Sequence, residues 1–147
     1  YKMISTKKIS TSKTFPIRQI VLRKGKPLET CYFNGDNDAT TTHFGVFQDE
    51  KILGVVSVYK VDSPLFHENN QFQIRGMALL SEHQGKGFGA QLLYTAENYC
   101  WENHANLIWF NARANAVSFY ERSGYEIMGN SFEIIDVGTH FVMHKKS

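Results

Sequence analysis

The sequence predicts an α/β domain built on one mixed sheet. Turn signals at Asp49-Glu50 and Val137-Gly138 join β-rich segments, and they indicate antiparallel hairpins towards both ends of the chain. Between them, a strand, a glycine loop, a helix and a second strand read as a crossover connection over residues 72–110. The chain has 147 residues, of which 42% are hydrophobic, and this is enough for one core. We therefore expect a single domain over residues 1–147.

The first elements are a strand and a short helix. Apolar residues in a Thr/Ser/Lys context predict the strand over residues 3–9. Thr14 is expected to cap the helix, Pro16 to lie in its first turn, and Gly25 and Pro27 to end it. The apolar face of this helix is formed by Ile17, Ile20 and Val21.

A hairpin follows in the first half of the chain. Residues 28–33 are ambiguous, and residues 34–38 carry the Asn, Gly and Asp residues of a turn. Residues 42–48 and 51–59 are rich in β-branched and aromatic side chains and are predicted to pair as strands. Residues 64–70 are expected to form a loop.

The second half alternates strands and helices. Residues 72–80 form a strand whose apolar end suggests burial on both faces. Apolar residues then recur at helical spacing from Phe88 to about residue 103. The remaining elements are a short strand at 107–110, a short helix at 115–123, and an antiparallel pair at 125–135 and 139–144.

Composition excludes several classes of partner. The 16 basic and 14 acidic residues are scattered without a basic stripe, so we expect no nucleic-acid partner. No apolar run approaches the length of a membrane span and no signal-peptide pattern opens the chain, so we expect no membrane partner and a cytoplasmic protein. Two cysteines outside any CxxC pattern indicate reduced thiols. No metal is expected, because His140 and His144 would lie ~13 Å apart along a strand.

The loop at residues 84–90, with the sequence QGKGFGA, is the strongest functional signal. A glycine loop that opens a helix presents unpaired N–H groups and the positive end of the helix dipole to an anion. The P-loop pattern fails here, because Lys86 is followed by glycine instead of Ser or Thr. The dinucleotide pattern matches Gly85, Gly87 and Ala90, but four residues separate it from the strand, and the next strand ends in Asn111 instead of an acid.

A third pattern, (Arg/Gln)xxGx(Gly/Ala), is satisfied by Gln84, Gly87 and Gly89. This segment resembles the pyrophosphate-binding motif of the GNAT superfamily of acyl-CoA-dependent N-acyltransferases, and the predicted element order is similar to the fold of that family. The resemblance implies a mostly antiparallel central sheet of six to seven strands flanked by about four helices. A second signature of the family is similar to Ala116, Phe119-Tyr120 and Gly124-Tyr125.

The resemblance implies an enzyme that transfers an acetyl group from acetyl-CoA to a primary amine in a ternary complex. It assigns the Leu79 N–H to the developing oxyanion and Tyr120 as the acid that protonates the leaving thiolate. Main-chain N–H groups of residues 84–90 would wrap the pyrophosphate, and Lys86 would add positive charge. The residues expected to bind the cofactor are Ala78, Leu79, Leu80, Gln84, Gly85, Lys86, Gly87, Phe88, Gly89, Ala90, Asn111, Asn115 and Phe119.

The sequence departs from the family pattern at the general base. Family members usually carry a Glu on the fourth strand, whereas this strand carries Gln73 and Arg75. Three nearby residues, Glu68, Glu82 and His83, are the candidates for a base, although loop residues of these types are most often only solvated. The weak base signal keeps a second hypothesis open, a non-catalytic acyl-CoA-binding or sensor module.

Other assignments also stay open. Asn111 is equally compatible with contact to pantetheine or substrate and with a turn residue that satisfies its own backbone. Arg113 stands where the family commonly has Asn. Asp36 and Asp38 could attract a cationic amine, since this region lines the acceptor site in the family. The acceptor is expected to be an amine-bearing small molecule, peptide or protein, and an exposed sheet edge could pair two copies into a homodimer.

Overall fold

Seven strands and three α-helices form the secondary structure of residues 3–147, the part of the chain that the computed structural model describes. The strands are β1 (Ile4–Ile9), β2 (Thr42–Gln48), β3 (Lys51–Tyr59), β4 (Gln71–Leu79), β5 (Leu107–Arg113), β6 (Glu126–Ile134) and β7 (Gly138–Lys146). The helices are α1 (Thr11–Val21), α2 (Phe88–Glu102) and α3 (Val117–Arg122). Short 3₁₀ turns lie at Leu28–Cys31, Ser81–His83 and Ala114–Ala116. The first of these turns occupies the segment that the sequence left ambiguous.

The strands form one mixed sheet in the order β1-β2-β3-β4-β5-β7-β6. The β1/β2, β2/β3, β5/β7 and β6/β7 pairs are antiparallel, whereas β4 and β5 are parallel. A parallel pair is the expected result of a crossover connection through α2. The parallel ladder is short and runs only from Gln71 opposite Leu107 to Gln73 opposite Trp109. The predicted α/β fold with a mixed, mostly antiparallel sheet of six to seven strands is confirmed, although the described residues form three α-helices instead of about four.

Most predicted strands agree with the structure within two residues, but β5 does not. β2 and β3 have the predicted bounds. β5 continues beyond the predicted end at residue 110, because β7 pairs with it along its whole length, as far as Arg113 opposite His140. Asn111 therefore lies opposite Val142 inside a strand and is not a turn residue.

The start and the buried face of α1 were predicted wrongly. The helix begins at Thr11 with Ser10 as its N-cap, so Pro16 lies inside it instead of in its first turn. Thr14 caps nothing, because its hydroxyl donates to the Thr11 carbonyl at 2.6 Å. Ile20 is 59% exposed, and the neighbouring polar residue Arg18 is buried. The first turn of the helix is therefore set by Ser10.

Contacts divide the chain into two compact units. The first unit comprises the described residues up to Tyr59 together with Ile74–Tyr99, and the second comprises Lys60–Gln73 with Cys100–Ser147. Each unit has its own apolar cluster. The first contains Ile17, Val55, Ala78 and Leu80, and the second contains Phe66, Leu107, Trp109 and Val142. Among the described helices, none is long and apolar enough to span a membrane.

Arg18 and Asp36 form a buried ion pair in the first unit. Nη1 of Arg18 is 2.6 Å from Oδ2 of Asp36, and neither side chain is exposed to solvent. Nη2 of Arg18 donates to Asp36 Oδ1 at 3.2 Å and to the buried Ser57 hydroxyl at 3.0 Å. Although burial acts to raise it, the pKa of Asp36 is lowered by hydrogen bonds from Arg18 and Tyr59. The pair therefore remains charged and ties α1 to the turn at residues 34–38.

We expect Asp36→Asn to lower the free energy of unfolding by about 3–5 kcal/mol, because it leaves the guanidinium of Arg18 buried without a counter-ion. Urea unfolding followed by circular dichroism measures this loss. Asp38→Asn is the matched control, since it removes an exposed carboxylate from the same segment and should change stability by less than about 0.5 kcal/mol. Equal losses in the two variants would contradict the role of the ion pair.

Candidate functional site

The predicted glycine loop lies between β4 and α2, where the sequence placed it. After β4 ends at Leu79, Leu80, the 3₁₀ turn at Ser81–His83 and four further residues lead to Phe88, the first residue of α2. Gly85 has φ +77° and Gly87 has φ +87°, a region of backbone conformation that other residues rarely adopt. A Cβ added at either glycine would meet nothing within 4 Å, so the main chain borders open space at both positions.

The main-chain N–H groups of this loop are available to a ligand. Gln91 N donates to Gly87 O at 3.1 Å and makes the first hydrogen bond of α2. Within residues 3–147, the N–H groups of residues 85–90 donate no hydrogen bond, as expected for the first turn of a helix. Gln84 differs from the prediction, because its N–H already donates to Ser81 O at 3.3 Å. Six consecutive free N–H groups therefore remain for an anion.

The end of β4 holds this loop in place. Leu80 N donates to Leu53 O at 2.9 Å, which continues the contact with β3 past the end of the strand. The side chain of Gln84 reaches back and donates from Nε2 to the Leu79 carbonyl at 3.2 Å. Ala78 and Leu80 are buried in the apolar cluster of the first unit. The first unit thus contains the predicted residues from Ala78 to Ala90.

Tyr120 lies on α3 among aromatic side chains of the second unit. The centroid of its ring is 4.4 Å from that of Phe110, 5.1 Å from that of Phe119 and 6.3 Å from that of Tyr125. Burial raises the pKa of Tyr120 to about 12. Among the described residues, none forms a hydrogen bond with its hydroxyl group. The phenol is therefore held as a neutral acid whose O–H has no hydrogen-bond partner within residues 3–147.

The other predicted residues of the second unit are three exposed polar residues and one half-buried phenylalanine. Asn111 and Arg113 lie exposed on β5, and Asn115 lies exposed in the 3₁₀ turn before α3. Phe119 is half-buried beside Tyr120. The predicted site residues thus fall into two sets, one around the glycine loop in the first unit and one on β5 and α3 in the second.

The three candidates for a general base differ in their surroundings. Glu68 Oε2 pairs with Lys146 Nζ at 3.1 Å, and this hydrogen bond lowers the pKa of Glu68. A hydrogen bond with its own backbone lowers the pKa of the exposed Glu82. His83 packs against Phe88 with ring centroids 6.3 Å apart, and its buried Nδ1 has no partner among the described residues. The lowered pKa values make both carboxylates weaker bases.

Arg75 is a residue whose role the sequence did not indicate. The sequence showed only that Arg75 lies on the strand where the family usually carries a Glu. It lies on β4, four residues before Leu79, and its Nη1 donates to Asn34 O at 3.1 Å. The carbon Cζ of its guanidinium lies 4.8 Å from the centroid of the Tyr59 ring. Its position on the strand could be read from the sequence, but these contacts depend on tertiary structure. Elsewhere, the described residues contain no group of three or more side chains that could hold a metal ion.

Known proteins are similar to this chain in sequence and in fold. A curated relative, the uncharacterized N-acetyltransferase YitI of Bacillus subtilis (strain 168), is 32% identical over 143 residues, which is 97% of this chain and 96% of the relative. Escherichia coli ElaA has a similar fold, with a TM-score of 0.78 at 16% identity, and the match covers 98% of this chain and 100% of that one.

An aminoglycoside 6′-N-acetyltransferase complexed with coenzyme A also has a similar fold, with a TM-score of 0.75 at 9% identity over 97% of this chain and 96% of that one. The profile of the acetyltransferase (GNAT) family matches residues 11–125, a span that contains the glycine loop and Tyr120. Because this match covers more than half of the sequence, the chain belongs to the acetyltransferase (GNAT) family.

Proposed function

We propose that this acyltransferase moves an acetyl group from acetyl-CoA to a primary amine of a small molecule, peptide or protein by direct attack. The observation that carries the proposal is the row of free N–H groups at residues 85–90, at the start of α2. Acetyl-CoA supplies a thioester, whose carbonyl carbon is open to attack by an amine. Apart from removal of the amine proton, the other parts of the reaction are assigned to side chains and main-chain groups of this protein.

The glycine loop fits a diphosphate. The N–H groups and the positive end of the α2 dipole favour an anion, and the exposed Lys86 adds a full charge. The open space at Gly85 and Gly87 allows phosphate oxygens to approach the main chain closely. The related aminoglycoside acetyltransferase, complexed with coenzyme A, supports the same ligand here. We therefore assign the diphosphate of coenzyme A to this loop.

The strand before the loop is where we place pantetheine and the acetyl group. The β4/β5 ladder is confined to residues 71–73 of β4, and the strand continues for six residues beyond it. Amide groups of pantetheine would pair with main chain at Ala78 and Leu79 as an added strand does. The predicted contact at Leu80 is not available, because its N–H donates to Leu53 O and its carbonyl accepts from His83 N. The Leu79 N–H would then stabilise the negative charge that develops on the carbonyl oxygen during attack. The similarity to the family also assigns Asn111, Asn115 and Phe119 to the cofactor.

Tyr120 would donate its proton to the sulfur as the carbon–sulfur bond breaks. A phenol with a pKa of about 12 is fully protonated at neutral pH, so the acid is always loaded. Transfer to an ordinary thiolate, with a pKa near ~8.5, would be unfavourable in water. The burial that raises the pKa of Tyr120 would also raise the pKa of a thiol in the same environment. The difference between the two pKa values would then be smaller than the difference from a thiol in water.

The base is the least specified part of the mechanism, and this supports one alternative function. Gln73, which is buried on β4, and Arg75 cannot accept a proton from the amine. Either His83, whose Nδ1 has no partner among the described residues, or a water molecule would have to take up that proton. A non-catalytic acyl-CoA sensor would have the same glycine loop and would need no base. Release of free thiol from acetyl-CoA in the presence of amines distinguishes the enzyme from the sensor.

We expect Gly87→Ala to weaken coenzyme A binding at least tenfold, because the methyl group would occupy the space beside the free N–H groups. Isothermal titration calorimetry measures the dissociation constant. Gly25→Ala is the matched control, since Gly25 is also exposed, has φ +75° and has nothing within 4 Å of an added Cβ. Both variants bear the same backbone strain, so an equal loss of binding in Gly25→Ala would exclude a specific role for the loop.

Tyr120→Phe should lower kcat by about 100-fold or more, because the variant keeps the ring and loses the proton donor. The dissociation constant of acetyl-CoA should stay within about twofold of the wild-type value. Tyr94→Phe removes a phenol from the exposed face of α2 and should leave both quantities unchanged. Wild-type turnover in Tyr120→Phe would remove Tyr120 from the mechanism.

The raised pKa of Tyr120 also predicts the pH dependence of turnover. A tyrosine with the ordinary pKa of ~10 would lose its proton above that pH, and the rate would fall. With a pKa of about 12, the acid stays loaded, so kcat should rise as the amine loses its proton and show no decline up to about pH 11. Initial rates in brief assays, with recovery checked at pH 8, test this. A reversible decline centred near pH 10 would contradict the assignment.

A further inference from the structure

Three guanidinium groups surround one phenyl ring in the first unit. The Cζ atoms of Arg18, Arg23 and Arg75 lie 3.9, 4.9 and 5.6 Å from the centroid of the Phe33 ring. Guanidinium groups stack favourably on aromatic faces, which explains how each is held. Stacking on the ring does not remove the mutual repulsion of the three positive charges. Each arginine therefore needs a carboxylate partner if its charge is to be neutralised.

Within the described residues, a carboxylate compensates the charge of only one of these three arginines. Arg18 pairs with Asp36, whereas in the described part of the chain neither Arg23 nor Arg75 has a carboxylate within ion-pair distance. The exposed Asp38 and Glu29 are the acids of the neighbouring segments, and neither forms an ion pair with these arginines. Burial raises the pKa of Tyr59, beneath Arg75, to about 12, so this phenol is neutral and adds no negative charge.

The two uncompensated guanidinium groups are fixed in place by main-chain carbonyls. Arg23 donates from Nε to Thr30 O and from Nη1 to Leu22 O, both at 3.2 Å. Arg75 donates to the protein only from Nη1, to Asn34 O, among the bonds of the described residues. Nε and Nη2 of Arg75 therefore remain as a pair of donors with the spacing that a carboxylate accepts in two parallel hydrogen bonds.

We propose that Arg75, supported by the charge of Arg23, binds a carboxylate of the acceptor, so that the enzyme prefers amines that also carry an acidic group. The inference rests on the proposed function, because Arg75 precedes Leu79 by four residues on the same strand. This separation corresponds to at most ~13 Å. The acceptor is then a molecule in which amine and carboxylate lie within that span, either an amino acid with a long side chain or a peptide with an acidic residue near its reactive amine.

This inference reverses, for Asp36, the expectation that acids of this segment attract a cationic substrate. Asp36 is 2% exposed and neutralised by Arg18, so it offers no charge to a ligand. The charges that remain against the Phe33 ring are those of Arg23 and Arg75, and both are positive. An acceptor amine must be neutral to attack, and a cationic surface disfavours its protonated form while it binds the carboxylate. The guanidinium groups of Arg23 and Arg75 would therefore bind the carboxylate of the acceptor and also favour the neutral form of its amine.

Binding is tested first, without turnover. At constant ionic strength, a saturating concentration of glutarate should raise the melting temperature of the wild type and of Lys24→Gln by about 3 °C, and glutaramide should not. Arg75→Gln should lose the shift. Lys24→Gln is the control for total charge, since Lys24 is exposed and adjacent to Arg23 in sequence. No shift in the wild type, or an equal shift in Arg75→Gln, would overturn the proposal.

Turnover then distinguishes the acceptors. β-Alanine, γ-aminobutyrate and ε-aminocaproate are compared with their carboxamides, and a peptide with glutamate after its first residue is compared with its glutamine counterpart. In the wild type, kcat/KM should favour the acid in at least one pair by about 10- to 100-fold. In Arg75→Gln this ratio should fall to near one, and Arg75→Lys should restore part of it, because a lysine offers charge without the paired donors. A ratio near one in every wild-type pair would overturn the proposal.

The same set of measurements separates this inference from the proposed function. A shift of melting temperature with coenzyme A reports only on the glycine loop. If coenzyme A stabilises the protein and glutarate does not, the carboxylate site is wrong and the transferase assignment stands. If glutarate stabilises it and neither coenzyme A nor thiol release is observed, the transferase assignment is wrong, and Arg75 binds a carboxylate in some other reaction.

Discussion

The first unit depends on the ion pair between Arg18 and Asp36. A buried pair costs desolvation energy, and this one recovers the cost through two contacts between the partners and further bonds to Ser57 and Tyr59. It joins α1, the turn before β2, and β3. The same guanidinium stacks on Phe33, so the ion pair also fixes the ring against which Arg75 lies. Stability and recognition of the acceptor are thus linked through one side chain.

The protein presents two kinds of positive surface in the first unit, and they differ in chemistry. At residues 85–90 the charge is partial and comes from main-chain N–H groups at the start of α2, which can follow the shape of a diphosphate. At Phe33 the charge is carried by whole guanidinium groups with fixed directions, which select a planar carboxylate. Both sites lie along or directly after β4, on a rigid strand, and this arrangement would orient a cofactor and an acceptor relative to one another.

The acid and the base of the proposed reaction are built unequally. Tyr120 is buried among aromatic rings, which keep it protonated, whereas no carboxylate with a raised pKa is found among the candidates for a base. A protein of this kind would rely on the environment of the acceptor to favour the neutral amine. The uncompensated arginines near Phe33 provide such an environment, because positive charge opposes protonation of a nearby amine.

Local patterns in the sequence determined the hairpin of β2 and β3, the succession of β4, glycine loop and α2, and the similarity to the GNAT family. These features depend on neighbouring residues, on hydrophobic periodicity and on the φ values that only glycine adopts easily. Tertiary structure alone decided which polar residues were buried. Arg18 follows Ile17 on α1, and both are buried. The sequence therefore shows a polar residue next to a core position, but it does not show the partner of this residue, because Asp36 lies 18 residues away. Arg75 and Asn34 are 41 residues apart, and no local pattern records a contact over that distance.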